Sequence, residues 1–316
     1  MPKLNVQQNN QNVIQAFRNA LAIGNLKGII ASDGSHNFST AGSNRNLLDN
    51  PWFTVRQRGD GPFTGAVYTV DRWKISGGNP TITPLTGYGV TLAQTTNTAF
   101  EQLLDPALMP FYNGKTLTLS VYTSAGIFSG TGTLNTSVSA YSIRFLLGTT
   151  GFRAGLYNNG TSYWFARIDN PSAGTYSVDI YAMKLELGSV STLANDAPPN
   201  YAEELRKCQY YFVRLHETAN YGYFPVGFGA EQASSALRMA IMTPTSLRRA
   251  PVTVSFSGTL NITGNGTRTT VTSMSILDVS DTAVLASVVP ASMPANQHTY
   301  TLSFGAQAYI DLSADL

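Results

Sequence analysis

The spacing of hydrophobic positions along this chain changes near residue 46. In the first 30 residues, apolar side chains recur at helical spacing and form one narrow stripe, made of Val13, Ile14, Phe17, Ala20 and Leu21. The stripe predicts a helix over about residues 8–23. A lone helix of this length is marginal in water and cannot bury its own stripe. We therefore expect it to pack on the rest of the chain, on a symmetry mate or on a docking partner.

From about residue 46 to residue 187, apolar and polar residues alternate with a period of two, as in half-buried strands. The clearest runs are 117–122, 143–147 and 176–187. In the last run the apolar parity slips by one residue, which predicts a β-bulge near Ala182. Clusters of Gly, Asn and Pro separate the runs at hairpin-like spacing. This pattern predicts a β-sandwich of the jelly-roll type.

A polar connector with Pro198-Pro199 follows, then a short predicted helix over about residues 200–208 and further alternating runs. These runs, at 237–241, 252–256 and 300–304, predict a second, smaller sandwich. The predicted fold is all-β, with tandem jelly-roll-like sandwiches and a short N-terminal helix. Its parts are an N-terminal helical anchor and neck (1–45), a jelly-roll sandwich (46–190), a linker (191–204) and a C-terminal β-sandwich (205–316).

Composition narrows the classes of function. Only 12% of the residues are charged, the net charge is +2, and there is no run of Lys or Arg, so a nucleic-acid groove is not expected. No apolar stretch is long enough to cross a membrane, and the N terminus lacks the apolar core of a signal peptide. We therefore expect synthesis in a cytoplasm without membrane insertion. The single cysteine, Cys208, excludes an internal disulfide and is expected to be buried.

Motifs of catalysis and metal binding are missing from the sequence. It contains no nucleophile elbow, P-loop or dinucleotide-binding fingerprint. His216-Glu217 begins a metalloprotease-like pattern, but Asn220 stands where the second histidine would be. We therefore predict no catalytic residue, no metal site and no cofactor.

Aromatic residues in a loop interrupted by Gly and Pro are the candidate ligand-binding residues: Tyr221, Tyr223, Phe224 and Phe228. Aromatics held on loops offer contact area at little entropic cost. The alternative is that they pack between domains or between subunits. Trp73 could stack on a sugar ring, but we expect it in the core, with Arg72 available for a structural ion pair.

Several ordered segments resemble a domain of phage and prophage tail-fibre and capsid-spike proteins. The resemblance covers about residues 46–256 and rests on Asn46–Phe53 with Gln57-Arg58-Gly59, Tyr68–Trp73, Leu185–Ser189 with Thr192, Tyr201–Phe212 and Arg249–Val254. It implies a carbohydrate-binding-like jelly roll, often in trimeric appendages, and it implies no particular ligand.

The expected function is therefore a structural or receptor-binding subunit of a phage or phage-like appendage: a tail fibre, tail tip or head spike. Such a subunit would be a homotrimer on the virion and would bind host-surface polysaccharide. Its N-terminal segment would contact other virion proteins through Val13, Ile14, Phe17 and Leu21. Two alternatives stay open: a purely architectural capsid or baseplate appendage, and a capsule depolymerase.

Overall fold

The structure of the protein is a computed structural model. It describes residues 30–32, 38–40, 44–94, 98–138, 141–158, 160, 163–170, 174–216, 225–233, 236–251, 253–264, 267–293, 299–305 and 308–315. The predicted N-terminal helix lies outside the described residues, and so do its apolar positions Val13, Ile14, Phe17 and Leu21. Near the N terminus, a two-stranded antiparallel ribbon pairs β1 (Ile30–Ser32) with β2 (Phe38–Thr40).

Eleven strands between residues 44 and 190 form a sandwich of two antiparallel sheets. They are β3 (Phe63–Thr64), β4 (Lys74–Gly77), β5 (Thr81–Pro84), β6 (Val90–Gln94), β7 (Thr98–Leu103), β8 (Thr116–Thr123), β9 (Gly126–Thr133), β10 (Ile143–Leu146), β11 (Arg153–Asn158), β12 (Trp164–Asn170) and β13 (Tyr176–Leu187). One sheet has the order β10-β11-β12-β7-β4, and the other has the order β3-β5-β6-β13-β8-β9. A single helical turn, α1 (Met109–Tyr112), lies between β7 and β8. The all-β fold is confirmed.

The two sheets face each other across one hydrophobic core. Phe100 of the five-stranded sheet and Leu92 of the six-stranded sheet are both fully buried in it. Trp73 lies in the same core and stacks on Phe100 at a ring-centroid distance of 5.2 Å. The predicted core position of Trp73 is therefore confirmed. The residue before it, Arg72, is in a turn with φ 71° rather than in a strand.

The bulge predicted near Ala182 is confirmed. The register of β13 against β8 shifts between Ile180 and Ala182. Because one extra residue is accommodated there, Ile180 before the bulge and Met183 after it both point into the core. The displaced side chain of Tyr181 contacts Tyr122 on the outer face of the sheet.

Nine more strands form the C-terminal body. They are β14 (Phe212–His216), β15 (Pro225–Ala233), β16 (Ala236–Met242), β17 (Thr253–Ser257), β18 (Leu260–Gly264), β19 (Thr267–Val279), β20 (Ala283–Pro290), β21 (Tyr300–Phe304) and β22 (Tyr309–Ser313). Six of them close into a barrel, in the order β15-β16-β20-β19-β18-β21, and the others form the sheet β14-β22-β17. This topology differs in detail from the expected second sandwich. In-out alternation is the same in both architectures, and only the pairing of β15 with both β16 and β21 closes the barrel.

The connector between the two bodies packs on the sandwich. Leu193, in a 3₁₀ turn (Leu193–Asn195), is 3% exposed. Lys184 Nζ donates to Asp196 Oδ1 over 2.8 Å. The predicted short helix is confirmed as α2 (Tyr201–Gln209). Its N-cap is Asn200, whose side chain accepts hydrogen bonds from the first turn of the helix. The segment expected to be a linker is thus a fixed part of the fold.

Two arginines of the sandwich reach a carboxylate near the C terminus and so hold the two bodies together. Arg58 Nη2 lies 2.6 Å from Asp315 Oδ2, and Arg72 Nη1 lies 3.8 Å from Asp315 Oδ1. Arg72 also donates to Asp49 and to the carbonyl oxygen of Leu103. We call the cluster of Asp49, Arg58, Arg72, Tyr211, Phe212 and Asp315 the joint. The predicted ion pair of Arg72 is confirmed.

Aromatic rings and buried polar groups complete the joint. The guanidinium carbon of Arg58 lies 3.5 Å from the ring centroid of Phe212, and that of Arg72 lies 3.4 Å from the centroid of Tyr211. Burial raises the pKa of Tyr211 to about 12. Burial also raises the pKa of Asp71, although Arg58 and two hydrogen bonds from Gln57 oppose the shift.

Candidate functional site

The structure describes only one of the four aromatic residues that were predicted to bind a ligand. Tyr221, Tyr223 and Phe224 lie outside the described residues. Phe228 is in β15, and its side chain is 64% exposed on the outside of the barrel. Its cross-strand neighbours there are Ala240 and Thr301. The expected contact of Phe228 with a ligand stays a prediction.

The outer face of the five-stranded sheet is richer in functional groups. One rung of paired residues crosses all five strands, in the order Lys74, Glu101, Arg167, Gly155, Arg144. Paired residues point to the same side of a sheet, so the charged side chains of this rung share the outer face. We define the arginine–tyrosine face as Lys74, Glu101, Tyr141, Arg144, Arg153, Tyr157, Phe165, Arg167 and Asp169.

Three aromatic rings form a row along one side of that rung. The ring centroid of Tyr157 lies 4.9 Å from that of Tyr141 and 6.3 Å from that of Phe165. Tyr141 and Tyr157 are partly exposed, whereas Phe165 is 7% exposed. Rings this close favour tilted contacts, which hold the row in a defined shape.

Each ring of the row has a cation above it. The guanidinium carbon of Arg144 lies 4.3 Å from the centroid of Tyr141, and that of Arg167 lies 4.8 Å from the centroid of Tyr157. Lys74 Nζ lies 5.3 Å from the centroid of Phe165. These distances are within the range of cation–π attraction, which orients the guanidiniums before any ligand arrives.

Two carboxylates lie among these cations. Glu101 is within 3.9 Å of Lys74 and 3.8 Å of Arg167. Asp169 accepts two hydrogen bonds from Arg153, at 3.1 and 3.3 Å, and a longer one of 3.4 Å from the hydroxyl of Tyr141. Burial raises the pKa of Asp169 despite the cations nearby. Both carboxylates are therefore engaged in holding the face together.

One arginine of the face keeps unused donors that are exposed. Arg144 is exposed, and no carboxylate of the described residues forms an ion pair with it. The Nε of Arg167, in contrast, is buried and lies 3.8 Å from Glu101 Oε2. Five guanidinium N–H groups in a fixed fork are well matched to bidentate acceptors. Arg144 can thus donate hydrogen bonds to a ligand without first breaking an ion pair.

The outer face of the six-stranded sheet carries a different aromatic cluster, made of Trp52, Tyr88, Tyr122 and Tyr181. Tyr88 is 39% exposed, and its ring packs edge-on against Trp52. The cation on this side, Lys184, is fully buried under the connector. This cluster offers an exposed ring without an exposed arginine.

A cavity of about 430 Å³ lies between the sandwich and α2, and charged residues line it. Its charged groups include Asp49, Arg72, Glu204 and Lys207. These groups pair with one another: Arg72 with Asp49, and Lys207 with Glu204. The cavity therefore belongs to the joint.

The arginine–tyrosine face was missed in the sequence because its residues come from strands far apart in the chain. The sequence signal that could have revealed this face is the residue type at every second position of its strands. In β11 the outward positions are Arg153, Gly155 and Tyr157, and in β12 they are Phe165, Arg167 and Asp169. Outward positions of a solvated strand are commonly Thr, Ser or Lys, so this density of arginine and aromatic side chains is the unusual feature.

Among the described residues, no three His, Cys, Asp or Glu side chains are grouped so as to hold a metal ion, and no helix is long and apolar enough to cross a membrane. Cys208 is buried, as expected, and burial raises the pKa of its thiol well above the ordinary value. No protein-family model matches the chain, and no curated protein matches it significantly.

Proposed function

We propose that this protein is a non-enzymatic, glycan-binding structural subunit of a phage or phage-like appendage (a tail fibre, tail tip or head spike). We further propose that the arginine–tyrosine face is its binding surface. The observation that carries the proposal is the row of three rings, two of them partly exposed, with a cation over each ring. In the described structure, this face combines apolar contact area with fixed hydrogen-bond donors.

A saccharide suits such a surface chemically. A pyranose ring has apolar C–H faces that pack on aromatic rings, and hydroxyl pairs that accept from a planar guanidinium. The supporting strands are rigid elements, which hold binding groups more exactly in place than loops do. An extended polysaccharide also fits an open sheet face better than it fits an enclosed pocket.

The appendage part of the proposal draws on the segments that resemble phage fibre and spike proteins. Several of these segments meet at the joint. Arg58, Arg72 and Tyr211 belong to them, and Arg249 donates to the backbone oxygen of Asp315. A stiff joint between two β-rich bodies suits a subunit that projects from a particle. The trimer, and the contact of the N-terminal segment with other virion proteins, remain part of this proposal.

The binding proposal is tested on an array of bacterial capsules, O-antigens and teichoic acids, with the full chain and two variants. We expect wild-type protein to bind some of these polymers. Tyr157→Ala, which removes the central ring of the row, should weaken that binding about tenfold, because one well-packed aromatic contact contributes about 1–2 kcal/mol. The matched control, Tyr88→Ala, removes an exposed tyrosine from the opposite sheet and should bind as wild type does.

Three results would contradict this proposal. Absence of binding to every polymer favours the purely architectural alternative. Binding of Tyr157→Ala at the wild-type affinity would show that the binding surface lies elsewhere, for instance around Phe228. Reducing ends are assayed in the same samples. Their release from a bound polymer would establish a depolymerase, for which the two carboxylates of the face, Glu101 and Asp169, would be the first residues to substitute.

A further inference from the structure

We infer that the glycan bound by the arginine–tyrosine face is acidic, carrying carboxylate, phosphate or sulfate groups. This inference rests on the proposed function, because it names the class of ligand for the same face. Two observations lead to it: the net charge of the face and the exposed, unpaired donors of Arg144.

The arginine–tyrosine face carries a net positive charge. The face has four cationic side chains (Lys74, Arg144, Arg153 and Arg167) and two carboxylates (Glu101 and Asp169). The whole chain has 20 Lys and Arg against 18 Asp and Glu. Outside the face, the remaining 16 cations therefore balance 16 acids. A surface excess of one sign raises the local concentration of oppositely charged ligands.

The two internal carboxylates leave part of that charge uncompensated. Arg153 pairs with Asp169, while Lys74 and Arg167 share Glu101. Arg144 lies over Tyr141 and forms no ion pair with a carboxylate of the described residues. An anionic acceptor would satisfy its exposed donors. Charge-assisted hydrogen bonds of this kind are about twice as strong as neutral ones.

The rung shows where such an acceptor would bind. Arg144 and Arg167 lie on the same rung, on either side of Gly155, and the ring of Tyr141 contacts both Tyr157 and the guanidinium of Arg144. A Cβ at Gly155 would overlap the carbonyl oxygen of Ile143, so the close approach of β10 and β11 requires glycine here. The geometry points to an anionic group bound at the exposed guanidinium of Arg144.

The test uses two matched pairs of polymers: dextran sulfate with dextran, and polygalacturonate with its methyl ester. Dissociation constants are measured by biolayer interferometry for the full-length wild type, for Arg144→Ala and for Arg238→Ala. Arg238 is an exposed arginine on the outside of the barrel, which makes it a matched control. We expect wild type to prefer the charged member of each pair at least tenfold, with a preference that falls as salt rises.

Arg144→Ala should lose about tenfold in affinity for the charged polymers, since a hydrogen bond to a charged group is stronger than one between neutral groups. Its affinity for any neutral polymer should change less, and Arg238→Ala should match wild type throughout. Equal binding to both members of each pair, or equal loss in the two variants, would overturn the acidic-ligand inference. The proposed function would survive that result if wild type still binds neutral glycans through Tyr157. Failure to bind any glycan, including those on the array, would overturn both.

Discussion

Arginines lie over aromatic rings in the joint and on the arginine–tyrosine face, but water reaches only one of the two places. In the joint, the side chain of Arg72 is 2% exposed and lies 3.4 Å from the ring centroid of Tyr211. On the face, Arg144 is exposed and lies 4.3 Å from the centroid of Tyr141. The same pair of residue types is packed into the fold in one place and presented to solvent in the other.

The two places also differ in how their donors are used. Arg72 donates to Asp49 and to Leu103 O, and both contacts lie inside the protein. Arg144 forms no ion pair with the described carboxylates. A buried charge without partners is costly, so a joint built of arginines must satisfy them. A surface arginine carries no such requirement, and its donors are left for a ligand. Exposure and unused donors, rather than residue type, distinguish the candidate site from the structural cluster.

The largest expected effect is on folding and comes from the joint. Arg72→Ala removes the ion-pair partner of Asp49 and one of the two arginine partners of Asp315, whose side chain is buried. We expect the free energy of unfolding to fall by about 3–5 kcal/mol, as it does when one member of a buried ion pair is removed. Urea denaturation followed by tryptophan fluorescence measures this. Arg144→Ala is the control and should change stability by about 0.5 kcal/mol or less, as at most surface positions. Equal effects of the two variants would remove the distinction between joint and face.

A smaller effect is expected in the interaction energy between an arginine and the aromatic ring that it lies over. Double-mutant cycles with Arg58→Met and Phe212→Leu in the joint, and with Arg144→Met and Tyr141→Leu on the face, isolate the two pairwise energies. We expect about 2 kcal/mol in the joint and about 0.5 kcal/mol on the face, because cation–π attraction is stronger where water is excluded. A larger coupling energy on the face than in the joint would contradict our account of burial.

The smallest effect is expected in the pH dependence of stability. Burial raises the pKa of Asp71 above its ordinary value of 3.8. The folded state then holds the proton more tightly than the unfolded state. The contribution of Asp71 to stability is therefore complete below the unfolded pKa of 3.8 and is lost as the pH rises through the folded pKa. In Asp71→Asn this loss is abolished. Its stability relative to wild type should therefore increase from pH 4 upwards in urea titrations. A constant difference across that range would show that Asp71 is not perturbed.

Much of the sandwich was predictable, because its signal is local. The alternation in residues 176–187 identified β13, and the parity slip identified the bulge that follows Ile180. The core position of Trp73 and the ion pair of Arg72 followed from their neighbours in sequence. The arginine–tyrosine face was not predicted, since Lys74, Arg144 and Arg167 become neighbours only through strand pairing. The aromatic loop chosen from the sequence contributes only Phe228 to the described residues.

The sequence by itself determined the all-β class, the positions of most strands and the core residues, since these depend on alternation that each segment carries alone. Tertiary structure decided how strands pair, and with it every feature that joins distant segments. It closed the C-terminal strands into a barrel, where the same alternation would also have suited a sandwich. It brought Asp315 to Arg58 and Arg72 across more than 240 residues of chain. The register of five strands placed four cations and the rings of Tyr157 and Phe165 on one outer face, because pairing alone sets which outward residues become neighbours.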